Sequence, residues 1–167
     1  MTGMRNGTSG GSGAQVAAKN GEQRDYVTMS IGDQMFGIPV LTVQDVLGPQ
    51  NIARVPLAPP EVAGSLNLRG RIVTAIDVRP RLGLPTREGG KTAMSVVVEH
   101  DAELYSLLVD SVGEVLSLNS RDYQRNPPTL SPRLREFSDG IYRLNASLLV
   151  VLNVGSLLDF GTRLDIA

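Results

Sequence analysis

Asn67, Arg69, Arg71, Asp77 and Arg79 fall on odd-numbered positions of one stretch, GSLNLRGRIVTAIDVRPRLGLP, from Gly64 to Pro85. An arginine offers a planar fork of N–H donors that grips carboxylates and carbonyls, and an aspartate beside it can fix its orientation. The chemistry on offer is recognition by charge and hydrogen bonding. Leu66, Leu68, Ile72, Ile76 and Val78 fall on even positions. Side chains alternate across a strand with period two, so the pattern predicts a ribbon with one buried and one charged face. Gly70 interrupts it, and a glycine inside a strand pattern marks a bend, a bulge or a close backbone approach.

Other chemistries find little support. His100 is the only histidine and there is no cysteine, so disulfides, thiolate metal sites and multi-histidine zinc sites are excluded, and a serine triad would rest on one imidazole. Beside Asp101 in EHDAE, His100 reads as a polar hairpin residue. No paired carboxylates stand out for acid–base catalysis, so an enzyme is not expected, nor a cofactor. Gly90-Lys91-Thr92 resembles the end of a phosphate-binding loop, but position 85, where the leading glycine belongs, is proline, and a β-prone run follows where a helix is required. A formal charge of −1 argues against a chain built to neutralise a nucleic-acid backbone. No apolar run reaches the roughly 18 residues of a membrane span, and the N-terminus lacks a secretory h-region. Together with the missing cysteines, this makes the cytoplasm the expected compartment.

Residues 1–24 are rich in Gly, Ser and Asn without apolar periodicity, which predicts a flexible tail. Order is expected from Asp25. Tyr26–Ile31 and Gln34–Val40 flank Gly32-Asp33 as a hairpin. Leu41–Leu47 reads as a strand, with a helical turn as the alternative, and Pro56, Pro59 and Pro60 break regular structure. Glu61 to Leu66 could form one helical turn. Met94–Glu99 and Leu104–Val109 make a second hairpin around His100–Glu103, and Val112–Leu118 a further strand. Residues 119–139 make a long loop with a short helix. A third hairpin turns at Asn145-Ala146-Ser147, and Gly155 to Leu164 ends in a short helix docked by Leu157, Leu158 and Phe160. Nine or ten short strands predict an all-β fold, and two small barrels packed together suit the pattern better than one large sheet.

The run G-x-x-N-L-R-G-x-I followed by I-D-V-R and R-L-G-L-P resembles the hallmark of CheW-like domains. The likeness includes Gly37-Ile38-Pro39-Val40 and Val43-Gln44-Asp45-Val46 upstream, and Val109–Leu116 and Leu149–Val154 downstream, covering about residues 25–160. With no receiver or kinase segment visible, the stand-alone members are the nearer match. The resemblance implies two packed SH3-like five-stranded β-barrels: barrel 1 near residues 25–69 plus a C-terminal strand, barrel 2 near 70–146, within a domain spanning 25–165. It implies a non-catalytic adaptor that couples the cytoplasmic tips of chemoreceptors to the histidine kinase CheA, monomeric when isolated and assembled in rings at membrane-associated arrays. The receptor-facing positions carried over are Val43, Gly64, Asn67, Arg69, Gly70 and, in the second barrel, Val112. Asp45 is a solvated edge charge or an interface contact, in the latter case towards the kinase. Thr74, Val78 and Asn153 depart from the family's usual Pro, Leu and Asp.

Residue type alone keeps other readings open. Arg69 could pair with Asp77 on the same strand face, Asn67 could bond its own turn, and Val43 could be plain core. Arg79 and Arg81 read as solvated. The rival from another class is a small nucleic-acid-binding barrel with Arg69, Arg71, Arg79 and Arg81 as a basic stripe. Three Phe, four Tyr and no Trp give it few stacking platforms.

Overall fold

The computed structural model describes residues 21–85 and 93–159. The expectations for residues 1–20, for the loop holding Gly90-Lys91-Thr92, and for Phe160 and the chain beyond it lie outside the described residues. β1 (Gln23–Ile31) starts three residues before the expected strand at Tyr26 and turns at Gly32-Asp33 into β2 (Gln34–Pro39). A 3-10 turn over Val40–Thr42 leads into β3 (Val43–Leu47), so both readings of that stretch hold in part. β4 (Val62–Leu68) occupies the segment where a helical turn was open, and β5 (Arg71–Asp77) returns beside it. Backbone pairing of Ser65 with Ala53 in both directions, at 2.8 Å each, favours the extended form there. The four-residue helix α1 (Val78–Arg81) follows.

β6 (Met94–His100) and β7 (Glu103–Val109) form the second hairpin, and β8 (Ser111–Asn119) follows after one residue. The long loop holds β9 (Tyr123–Gln124) and α2 (Pro132–Phe137). β10 (Ser138–Arg143), β11 (Leu148–Leu152) and α3 (Val154–Leu157) complete the described chain. Asn153 caps α3 by accepting from the Ser156 N–H at 2.9 Å. Asparagine caps a helix about as well as aspartate, so this departure from the family pattern keeps that role.

The fold is mostly β with two sheets, one for each expected barrel, but the first holds six strands where five were expected and the chain is divided differently between them. One sheet runs β8-β1-β2-β11-β10-β9 and the other β3-β6-β7-β5-β4. The chain leaves the first sheet at Val40–Thr42, builds the whole second sheet between Val43 and Val109, and returns at Asp110. A boundary near residue 69 therefore cuts through the β4–β5 hairpin of one sheet. Each sheet holds one parallel pair, β2 with β11 and β5 with β7. Parallel partners are distant in sequence, so local hairpin signatures could not reveal the partition.

One apolar cluster draws on both sheets. Val27, Met29, Ile31, Phe36, Ile38, Ile141, Val150 and Leu152 come from the first, and Ile76, Val96, Val98, Leu107 and Val109 from the second. The alternate positions Tyr26, Tyr142, Leu149 and Val151 form a separate cluster on the other face of the first sheet. Leu66, Val73, Ala75 and Leu108 do the same in the second sheet. Period-two alternation thus places the inner strands between two apolar layers, while the edge strands β3 and β8 hold no buried residue.

The 64–85 ribbon departs from its expected single alternation. Arg69 and Gly70 form a two-residue turn, with Leu68 facing Arg71 across the hairpin. After the turn Val73 and Ala75 are buried, whereas Ile72 is 72% exposed. A two-residue turn reverses the chain, so one parity rule does not carry across it.

Glycine is required at Gly64 on two counts. Its φ of +151° lies where L side chains rarely go, and a Cβ would run into the Ala53 carbonyl oxygen. Gly70 has φ +85° with open space around it. Gly70→Ala is expected to cost about 1–2 kcal/mol from backbone strain alone, and Gly64→Ala distinctly more. Urea unfolding of the two variants side by side checks the order.

Burial, then the hydrogen bond shared with Tyr26, pushes the Tyr142 phenol well above the usual tyrosine range. A raised folded-state pKa contributes stability that is complete below the unfolded value, near 10, and is lost as pH rises through the folded one. Unfolding free energy is expected to decline above about pH 10, and Tyr142→Phe to flatten that decline in alkaline urea melts.

Candidate protein-interaction site

The β4–β5 turn concentrates the candidate residues. Arg69 has φ +52° and Gly70 φ +85°, the pair of left-handed residues of a type I′ turn. Such turns favour Asn-Gly, Asp-Gly or Gly-Gly, and arginine at the first place is strained. The Asn67 side chain accepts the Gly70 N–H at 2.9 Å and closes the turn, the local bond that residue type allowed for.

Arg69 holds its side chain 78% exposed and donates from Nη2 to Asp45 Oδ2 at 2.9 Å. The expected alternative, a pair with Asp77, is corrected. Arg69 sits at the tip of the hairpin and Asp77 at the far end of β5, about 20 Å away at 3.3 Å per residue. Asp77 instead accepts the Arg79 N–H at 3.2 Å as the cap of α1. Asp45 lies on β3 and also accepts the Val46 N–H at 2.9 Å. β3 and β4 are the two opposite edges of their sheet, so the Arg69–Asp45 pair joins edge to edge and the sheet is rolled upon itself. In the first sheet a short 3-10 turn over Ser120–Asp122 connects the edge strands β8 and β9. An exposed ion pair is worth only about 0–1 kcal/mol, so its main effect is to aim the guanidinium.

Val43 lies two residues from Asp45 on the same strand, partly buried against the shared core. Val112 is partly buried against that core from β8, an edge strand of the other sheet. The two valines thus border one apolar layer from two sheets. Gly64 is buried, and its close approach to Ala53 gives it a structural reason apart from any contact with a partner. The structure therefore brings Asn67, Arg69, Gly70 and Asp45 together, with Val43 on the strand of Asp45, while Val112 meets the shared core from the other sheet.

Residues missed at the sequence level are exposed and apolar: Val115 at 58%, Ile72 at 72% and Leu41 at 95%. A register shift between β1 and β8, after the Val27–Val115 pair and before Met29–Val112, defeats a parity reading of Val112 and Val115. Arg79 and Arg81 are corrected from solvated to engaged. Arg79 grips Asp110 through two nitrogens, at 3.0 and 2.6 Å. Arg81 donates to the Leu157 and Ser156 carbonyls at 2.9 Å each and lies over the Phe137 ring. The basic stripe required by the nucleic-acid reading loses two of its four members to these contacts.

The family profile described as CheW-like domain matches residues 25–161. The chain belongs to the CheW-like family. It is 30% identical over 139 residues to the chemotaxis protein CheW of Helicobacter pylori, covering 83% of this chain and 84% of that protein. It is 28% identical over 133 residues to the chemotaxis protein CheW of Rhizobium meliloti, covering 80% and 86%. The crystal structure of the scaffolding protein CheW from Thermoanaerobacter tengcongensis superposes with a TM-score of 0.75 at 25% identity, over 83% of this chain and 94% of that one. As a CheW-like protein this chain is a coupling adaptor of chemotaxis, and among the described residues no helix is long and apolar enough to cross a membrane.

Asparagine tolerates the left-handed region and suits the first place of this turn. Arg69→Asn, although it removes the ion pair with Asp45, is expected to leave the folding free energy unchanged or raise it by up to about 1 kcal/mol. Equilibrium urea unfolding measures this, and a loss of more than 1 kcal/mol would assign Arg69 a structural role instead.

Proposed function

We propose that this CheW-like protein couples the cytoplasmic tips of chemoreceptors to the histidine kinase CheA and supports receptor control of the kinase, without catalysing a reaction itself. The observation that carries the reading is Arg69: an exposed arginine at a strained turn position, aimed by Asp45 and closed in by Asn67. Strain of this kind persists where the surroundings over-determine it and concentrates at ligand clamps and other functional sites. A planar fork held this way suits carbonyls and carboxylates on a partner helix.

In this reading the receptor's helical hairpin lies along the apolar border between the sheets, with Val43 on one side and Val112 and Val115 on the other. This is the helix-in-groove mode, with apolar anchors and a charged rim. Asp45 acts through Arg69 and thus belongs to the receptor side. The protein works on the cytoplasmic side and reaches the membrane through the receptors. Opposed surfaces for receptor and kinase on one small body give an array its multivalency. Signal passes as a bias between kinase states, which requires contacts that differ between those states.

Co-sedimentation with receptor-containing membranes and purified CheA, read together with kinase activity, tests the proposal. The wild type is expected to raise kinase activity in receptor complexes. Arg69→Asn is expected to fold and bind the isolated kinase, yet to lose receptor-dependent activation by about tenfold. Undiminished activation by this variant would remove Arg69 from the receptor interface.

A further inference from the structure

Asp110 is the single residue between β7 of one sheet and β8 of the other. Among the described residues its carboxylate takes three N–H groups, from two directions. Arg79 Nε and Nη2 reach it from α1, which follows β5 of the second sheet. The Gly32 N–H reaches Oδ2 at 2.8 Å from the β1–β2 turn of the first. The Asp110 N–H meanwhile donates to the Ser30 carbonyl of β1 at 3.0 Å. Two residues further along the helix, Arg81 crosses in the same sense to the carbonyls of α3, which belongs to the end of the first sheet's chain.

From this geometry we propose that α1 is a latch between the sheets, with Arg79 and Arg81 as positioning residues that set how β8 stands relative to β3. A two-pronged arginine–carboxylate pair fixes angle as well as distance. The Arg79 and Asp110 side chains are only 16% and 26% exposed, which shields the pair from solvent far better than the pair at Arg69. β8 begins at the residue after Asp110 and carries Val112 and Val115, so a small rotation at the clamp moves both relative to Val43, Asp45 and Arg69. The consequence for signalling rests on the coupling role proposed above; the consequence for geometry does not. The latch residues are mostly covered and turned toward one another, so the proposed effect on a receptor passes through the spacing of the two edges.

The absence of cysteine makes the test direct, because two introduced cysteines, Gln44→Cys on β3 and Glu114→Cys on β8, both at exposed positions, are the only labelling sites. Spin-label distances between them are expected to be narrowly distributed with the latch intact and to broaden and lengthen in Arg79→Ala. Receptor-dependent kinase activation by the unlabelled variant is expected to fall about fivefold or more, with binding to isolated CheA retained. Arg79→Lys, which keeps the charge without the two-pronged grip, gives an intermediate distribution, and it carries the test if Arg79→Ala fails to fold. An unchanged distribution in folded protein overturns the latch, and a broadened one with full activation overturns its positioning role. If the wild type itself gives no receptor control, the coupling reading fails while the distance measurement still decides the latch.

Discussion

The chain crosses between its two sheets at Val40–Thr42 and at Asp110, and the second crossing is a single residue long. Everything else must fit that constraint. A strand leaving one sheet and entering the other within one residue has no loop to absorb a misfit. The donors and acceptors around it must be satisfied on the spot. The Asp110 backbone bonds to β1, its carboxylate bonds to the β1–β2 turn, and Arg79 neutralises the charge from the other sheet. Burying a carboxylate without such partners would be costly, and breaking a partly buried pair leaves an uncompensated charge. The shared core then has two walls at a defined angle to pack against.

That core explains why the sheets behave as one body although each also has a cluster of its own. Val27, Met29 and Ile31 point into the common layer, while Tyr26 and its neighbours fill the opposite side. Apolar contact is strong but non-directional; it holds the sheets together without choosing their angle closely. Direction comes from the arginines of α1. The division of labour also places the apolar border proposed for recognition next to the core itself, at Val43 and Val112, where side chains are already held by packing.

Much of this was legible in the sequence, and the rest was hidden for identifiable reasons. The hairpins around Gly32-Asp33 and Asp101-Ala102 follow from local turn chemistry and alternation, and both formed. The partition of strands between sheets was misread because β2–β11 and β5–β7 are parallel, long-range pairs with no local signature. Parity misled at the Arg69-Gly70 turn, which resets the face a residue takes, and the register shift beside Thr28 resets it likewise along β8. At the candidate site, the motif named Asn67, Arg69 and Gly70, and the turn that gathers them was visible in it. The partner of Arg69 was not, since Asp45 lies 24 positions away and no spacing rule links opposite edges of a rolled sheet.

Arg69 and Arg79 come from one short stretch and are alike by residue type, yet their surroundings give them opposite tasks. Arg79 is largely covered, bidentate and matched to a carboxylate at a crossing the fold cannot do without. Arg69 is mostly in water, holds one surface carboxylate, and occupies a backbone conformation that asparagine or glycine would fill with less strain. Stability accounts for the first arginine and runs against the second. In the coupling role proposed above, what keeps an arginine at that tip lies outside the folded chain. A charged fork presented at the rim of an apolar border, on a scaffold whose two walls are latched, is a surface arranged for a protein partner.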